Sequence, residues 1–217
     1  MKNYILIFLI LLSSTVFSQT AEVGITGGGM YYQGDINPGT PFAMTKPGYG
    51  IIVRYNIDTR WALKSNVLFG TLQSDDATIG YKKERDCRFS TSLIETTIQA
   101  EVNFLDYFTG SMRTYFSPYI FAGASFFMTD NVTSAAIPFG IGAKYSISKR
   151  IGFSAEWGMR KTFTDEIDGL AATYPDGRQL SDSQTNDWFS YAGIGLSYKF
   201  KILSRTHCLN SENAYKQ

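Results

Sequence analysis

Nine charged residues stand at alternate positions within otherwise apolar segments, and such groups could either transfer protons or neutralise one another. The acids are Glu22, Glu95, Glu101 and Glu156, and the bases are Arg54, Lys64, Lys144, Arg160 and Lys199. Positioned carboxylates are frequent general acids and bases. Four acids against five bases is close to balance, however, and buried charges are tolerated when they are paired. We therefore expect a network of ion pairs and no catalytic residue.

The remaining polar motifs offer little support for metal or nucleotide chemistry. The only histidine, His207, adjoins Cys208, which gives too few ligands for a metal site. The glycine-rich run 24–29 is not expected to open a helix, as a dinucleotide fingerprint does. Acidic clusters at 75–76 and 165–168 could bind a cation through oxygen ligands, although we favour solvated loop charges. We expect no cofactor and no enzymatic activity.

The charged residues lie in eight segments whose side chains alternate between apolar and polar or small. Each segment can supply the about 9–11 residues that a tilted strand needs to cross a membrane. Because an even number of strands can close into an antiparallel barrel, both ends of the barrel are expected on one side of the membrane. The segments are 22–32, 49–57, 61–71, 92–104, 118–128, 135–147, 151–163 and 188–200.

The last segment carries the clearest signal for a membrane. Alternate residues from Trp188 to Phe200 are nearly all apolar, with aromatic residues at both ends, whereas the intervening set holds two glycines, a serine and Lys199. Aromatic girdles around an apolar outer band are typical of transmembrane β-barrels. The all-β fold predicted here is therefore an eight-stranded antiparallel transmembrane barrel, with a secreted β-sandwich as the main soluble alternative. An eight-stranded barrel is narrow enough for side chains to fill it, which predicts a lumen plugged by ion pairs.

The lengths of the connections predict which end of the barrel faces the cell. Two connections are three residues long, which suits periplasmic turns, and three long ones fall at the opposite end, which suits external loops. Two others fit less well, because 105–117 is long for a turn and 129–134 is short for a loop. The fifth segment does not alternate clearly, so its register stays open. The short connections are 58–60 and 148–150, and the long ones are 33–48, 72–91 and 164–187.

The chain begins with the features of a secretory signal peptide. Lys2 precedes an apolar run at 5–12 that is too short to span a bilayer, and small residues follow it. We expect a signal peptide at 1–18, an outer-membrane barrel at 19–200 and a periplasmic tail at 201–217. An uncleaved anchor is the alternative, but it would need about 20 apolar residues.

The net charge and the positions of the two cysteines limit which partners and disulfides are expected. A net charge of +1 gives no reason to expect nucleic-acid binding. Lipids of the outer membrane are the expected surroundings of the barrel. The predicted topology puts Cys87 outside the cell and Cys208 in the periplasm, so we expect no intramolecular disulfide between them.

Three stretches resemble the PorG-like outer-membrane barrels of Bacteroidetes bacteria. The first is Gly27-Gly-Gly-Met-Tyr-Tyr-Gln-Gly-Asp-Ile-Asn37, after a strand that bears a glutamate. The second runs from Arg88 to Glu95 and is followed by Glu101-Val-Asn-Phe104, and the third is Ser117-Pro-Tyr-Ile-Phe-Ala-Gly123. The resemblance covers most of the chain, and its Tyr-x-Gly-Asp block is the most distinctive part.

This resemblance implies a role in the type IX secretion system, where such a barrel would contact the periplasmic ring of PorK and PorN proteins. The long connection before the fifth strand and the tail would then supply the contact. Aromatic and arginine residues are enriched at protein interfaces. The expected contact residues are Tyr107, Phe108, Arg113 and Tyr115, although the aromatic ones could instead lie at the membrane interface. A generic structural or adhesive barrel that acts through its external loops is the alternative function.

Overall fold

The computed structural model contains eight β-strands. It describes residues 20–34, 37, 40–75, 88–107, 115–164, 167 and 187–201. The predicted signal peptide, both cysteines, His207 and the tail beyond residue 201 lie outside these ranges. The strands are β1 (Thr20–Gln33), β2 (Lys46–Asn56), β3 (Trp61–Asp75), β4 (Arg88–Asn103), β5 (Phe116–Thr129), β6 (Thr133–Ser146), β7 (Ile151–Thr162) and β8 (Trp188–Lys201).

The strands form one closed barrel in sequence order. Each strand pairs antiparallel with the next, and β8 returns to pair with β1 from Thr20↔Lys201 to Gln33↔Trp188. Closure leaves no unpaired edge, so the backbone polar groups of the wall bond to one another, as a hydrocarbon environment requires. This confirms the predicted eight-stranded antiparallel barrel.

No helix in the described part of the chain is long and apolar enough to cross a membrane.

The predicted strand positions are correct, but several boundaries differ. The hairpin of β3 and β4 continues to the pair Asp75↔Arg88, beyond the predicted limits at 71 and 92. Polar residues such as Gln73 and Ser90 pair in this extension, so the apolar alternation used for prediction ends before the hydrogen-bonded ladder does. The hydrogen-bonded ladder can extend beyond the membrane, because water tolerates polar side chains on the outer face of the strands. The inward side chains of Leu72, Ser74 and Thr91 remain buried.

Strand β5 alternates throughout, which settles the register that the sequence left open. Its lumenal side chains include Tyr119, Phe121 and Phe127, and its outward ones include Ile120 and Phe126. The alternation is invisible in residue types because large apolar side chains occupy both faces. The barrel interior accepts these rings next to glycines on the neighbouring strand β6.

The outer surface of the wall is a continuous apolar band. Side chains such as Ile25, Tyr49 and Ile141 are 56–66% exposed although they lie in the middle of strands. So large an exposed apolar surface would be unstable in water but matches the hydrocarbon of a bilayer. The protein is therefore an outer-membrane barrel. Other members of the band include Ile51, Val53, Ile98, Ile120, Phe126, Met128, Ile194, Leu196, Tyr198 and Phe200.

The two ends of the barrel differ in their connections. The turn between β2 and β3 is closed by Asp58, whose Oδ1 accepts bonds of 2.7 Å from the amides of Arg60 and Trp61. Ser148 forms a comparable turn between β6 and β7, with its Oγ accepting from Ile151 N at 3.0 Å. This end is assigned to the periplasm because tight turns lie there in bacterial barrels. At the external end, the connection between β5 and β6 is also short, at residues 130–132, with Thr129 N donating to Val132 O at 2.8 Å. The assignment therefore rests on the three long connections at that end, which join β1 to β2, β3 to β4 and β7 to β8.

Adjacent glycines in β1 should respond differently to an added methyl group. A Cβ on Gly28 would lie 2.1 Å from the backbone oxygen of Ala192, whereas a Cβ on Gly27 would meet nothing within 4 Å. We expect Gly28→Ala to lower the free energy of unfolding by about 1–3 kcal/mol through overpacking. Gly27→Ala should stay within about 0.5 kcal/mol of the parent protein. Urea unfolding followed by the faster gel migration of the folded barrel measures both, and equal stabilities would refute the close packing of β1 on β8.

Candidate functional site

The centre of the lumenal charge network is the carboxylate of Glu101 on β4. Arg54 on β2 donates to it through Nε at 2.8 Å and through Nη2 at 3.3 Å. Lys144 on β6 lies 2.6 Å from Oε2, and Lys64 on β3 lies 4.0 Å from Oε1. All four side chains are at most 2% exposed. One buried carboxylate thus binds cations from three other strands across the lumen.

Arg54 extends this network to β1. Its Nη1 donates to Glu22 at 3.1 Å, and Ser197 on β8 donates to the same carboxylate at 2.9 Å. Asn56 donates to the other oxygen of Glu22 at 3.1 Å. The guanidinium therefore joins two carboxylates on different strands, which suits its planar arrangement of donors.

Lys64 extends the network to β7. Its ammonium forms an ion pair with Glu156, and the hydroxyl of Tyr119 donates to the same carboxylate at 3.1 Å. The six charged residues connected in this way comprise three acids and three bases, so the cluster is neutral as a whole. Its members are Glu22, Arg54, Lys64, Glu101, Lys144 and Glu156.

A separate pair lies nearer the external end. Arg160 Nε is 3.3 Å from Glu95 Oε2, and both side chains are fully buried. Arg160 also donates to Gly158 O at 2.8 Å and lies over the ring of Tyr191, 5.6 Å from its centroid. The structure thus places all eight residues of the predicted network in the lumen, in two groups.

Lys199 occupies the periplasmic mouth without a salt bridge to a described carboxylate. Its ammonium donates to Ser146 Oγ at 2.6 Å and lies 4.8 Å from the ring centroid of Tyr107. An aromatic face attracts a desolvated ammonium. The ninth predicted lumenal charge is therefore held by a hydroxyl and a ring.

Tyr107 closes this mouth. The sequence predicted it as a residue that contacts a partner, but the structure does not place it on an exposed surface. Its side chain is 2% exposed, and its hydroxyl bonds to Ser146 Oγ at 3.2 Å. Burial raises the pKa of Tyr107 above its usual value. Tyr107 is buried and not exposed because Lys199 has no salt bridge to a described carboxylate. The ammonium of Lys199 therefore favours contact with an aromatic ring from the connection. Sequence alternation gives no signal for a residue that enters the barrel from outside a strand.

The other predicted contact residues have different positions. Tyr115 is 47% exposed and its ring centroid lies 6.3 Å from that of Tyr145 on the outer wall. Phe108 and Arg113 lie outside the described residues. Among the described residues, no group of three or more His, Cys, Asp or Glu side chains is arranged to hold a metal ion.

The external half of the lumen holds an apolar cluster that was not predicted from the sequence. Phe127 and Phe189 pack edge to face with their ring centroids 5.4 Å apart, and both are fully buried. The signal was present, because the lumenal positions of β3 and β8 include leucine and aromatic residues where a purely ionic lumen would need polar ones. The cluster consists of Met30, Tyr32, Leu68, Leu72, Leu93, Phe127, Ala136, Ile167, Phe189 and Tyr191.

The two layers together determine what the lumen can do. Each of the four lumenal carboxylates predicted from the sequence is held by at least one cation. A fifth buried carboxylate, Asp187, accepts hydrogen bonds from the hydroxyl of Tyr32 and the amide of Ile167. The apolar layer covers the ion pairs on the external side and Tyr107 covers them on the periplasmic side. This arrangement suits a plug that stabilises the barrel.

A family model described as a domain of unknown function, DUF6089, matches residues 1–210. The chain belongs to the DUF6089 family. No curated protein sequence matches this DUF6089 member.

Solved structures of other outer-membrane proteins are similar to this DUF6089 barrel. Ail, the attachment invasion locus protein of Yersinia pestis, solved with the heparin analogue sucrose octasulfate, has a TM-score of 0.49 at 10% identity, covering 85% of this chain and 100% of that one. Neisserial surface protein A has a TM-score of 0.49 at 13% identity, covering 85% and 98%. OprG of Pseudomonas aeruginosa has a TM-score of 0.45 at 10% identity, covering 84% and 95%. Similarity at this level extends no binding property from those proteins to this one.

Removing the central carboxylate should destabilise the barrel. Glu101→Gln leaves three buried cations around a neutral amide, and we expect a loss of about 3–5 kcal/mol in the free energy of unfolding. Asp106→Asn is the matched control, because it removes an ion pair with Arg60 whose side chains are 52% and 48% exposed. The control should cost no more than about 1 kcal/mol. Urea unfolding of both variants measures the difference, and equally small losses would show that water enters the lumen and screens the network.

Proposed function

We propose that this protein is an outer-membrane component of a type IX secretion system that binds the periplasmic ring, built from PorK/PorN-like proteins, through its periplasmic end. The observation that carries the proposal is the lumen filled with paired charges and apolar side chains. A barrel whose interior is filled in this way is suited to binding a partner at its surface. The resemblance of residues 27–37 and 88–104 to PorG-like barrels supports the secretion role. The protein acts in this proposal as an anchor and not as an enzyme.

The periplasmic rim provides a preformed surface for such a contact. Arg60 in the turn between β2 and β3 donates to Phe104 O at 2.8 Å and pairs with Asp106 at 2.5 Å. Tyr107 N donates to Thr59 O at 3.1 Å, which ties the same segment to the turn again. A rim that is ordered before binding costs less entropy when a partner arrives.

Exposed side chains surround this ordered rim. Phe104, Leu105, Tyr115 and Phe116 are 46–54% exposed at the periplasmic ends of β4 and β5. Such side chains serve either a lipid interface or a protein interface. Asp106, beside them, is 48% exposed and faces water, which favours a protein partner at the outer part of the rim.

A second candidate is adhesion through the external end. Residues 40–45 form an ordered turn there, in which Asn37 donates to Tyr32 O at 2.9 Å and to Thr40 O at 2.8 Å. Phe42 in this turn has a φ of 62° and is 55% exposed, with its ring 4.7 Å from that of Tyr31. An exposed aromatic ring held in a strained backbone conformation is a feature of contact loops.

Two single substitutions at opposite ends separate these functions. We expect Tyr115→Ser to reduce several-fold the ring proteins that copurify with the barrel from crosslinked outer membranes, as measured by mass spectrometry. Phe42→Ser is the control, since it removes a ring of similar exposure at the external end. A chain ending at Lys201 tests the tail in the same assay. All three variants should still show the faster gel migration of a folded barrel.

The outcomes are distinct. Loss of ring proteins with Tyr115→Ser or with the truncated chain, but not with Phe42→Ser, supports the secretion role. If ring proteins are absent from the parent protein's crosslinked complexes, the secretion role is wrong. If Phe42→Ser alone reduces attachment of cells to surfaces, adhesion is the better description.

A further inference from the structure

Lys161 is an outward-facing charge with no charged neighbour in the wall. Among the outward side chains of the described strands, three are charged, namely Asp75, Arg88 and Lys161. Asp75 and Arg88 face each other at the external ends of β3 and β4. Lys161 instead stands between Ile137 on β6 and Trp188 on β8.

The ammonium of Lys161 is held by an aromatic ring and not by an acid. It lies 5.7 Å from the ring centroid of Trp188, and no described carboxylate forms a salt bridge with it. A lysine at the edge of the apolar band attracts anionic lipid headgroups. Its position near the external end of β7 puts it at the surface of the outer leaflet.

An apolar groove lies directly below Lys161 on the outer wall. Its floor is the backbone of the lumen-facing pair Gly140↔Gly158, and the ring of Phe121 fills the lumenal side of this pair. The groove has a volume of about 310 Å³. Its walls are the neighbouring cross-strand pairs Phe139↔Met159 and Ile141↔Trp157.

The groove and the lysine form one continuous surface. Phe139 in the groove wall packs edge to face against Trp188, with centroids 6.1 Å apart, and Trp188 in turn lies beneath the ammonium. Lys161 follows Met159 by two residues on the same face, which separates their positions by about 7 Å along the strand. A molecule with a hydrocarbon chain and an anionic head separated by this distance would contact both.

We propose that this surface binds lipid A, the phosphate-bearing lipid of the outer leaflet, with an acyl chain in the groove and a phosphate against Lys161. Lysine binds phosphate as a compact charge, and the groove offers the chain apolar contacts on both sides. A second copy of the barrel fits less well, because a two-fold contact on this face would bring two unpaired lysines together. The proposal does not depend on the secretion role.

Native mass spectrometry of the barrel in a neutral detergent tests this site. The probes are bisphosphorylated lipid A and the same lipid with its phosphates removed. Lys161→Gln should weaken binding of the phosphorylated lipid about fivefold and leave the dephosphorylated lipid unaffected. Lys149→Gln, which removes an exposed lysine from a periplasmic turn, is the matched control and should change neither.

Met159→Gln tests the groove, because a polar side chain in its wall should weaken binding of both lipids. Unchanged gel migration of the folded barrel ensures that all variants are compared in the same state. Equal binding by the Lys161→Gln and Lys149→Gln variants would overturn the proposal, as would binding that does not depend on phosphate. A dimer that forms without lipid and is lost on Met159→Gln would identify the face as an interface between copies.

Discussion

The charge balance around Glu101 is the constraint on which the rest of the barrel depends. Its carboxylate on β4 is held by cations from β2, β3 and β6, so one acid connects half of the strands across the lumen. A shift of any of these strands by one residue would turn its charge toward lipid, where it would have no partner. The ion pairs therefore specify the register of the barrel, in addition to any stability they contribute.

The described part of the lumen contains two layers of buried side chains, one ionic and one apolar. The apolar layer covers the ionic layer on one side and Tyr107 covers it on the other. Burying charges in this way costs folding free energy unless each charge is paired. Outside the lumen, the described barrel presents the rim fastened by Arg60, the external turn around Phe42 and the wall near Lys161.

The sequence predicted the strands and the lumenal charges because both follow from a period of two. It could not predict features that break this period. Tyr31 has an outward position in β1 but is fully buried, since Phe42 covers it and Trp157 donates to its hydroxyl at 2.9 Å. Ser190, the cross-strand partner of Tyr31, also has an outward position and is fully buried. Tyr107 enters the lumen from a connection, and placing Phe127 in the apolar layer requires knowing which of the two apolar faces of β5 points inward.

The position of each charge in this barrel indicates the kind of partner that it needs. Glu101 is excluded from water and finds its cations within the lumen. Asp106 lies in water, where its pair with Arg60 contributes little energy and leaves the rim available to a protein. Lys161 lies between these environments, at the edge of the hydrocarbon, where the membrane itself supplies the anion. Pairing inside the lumen thus stabilises the fold, whereas the charges outside it face the molecules that surround the barrel.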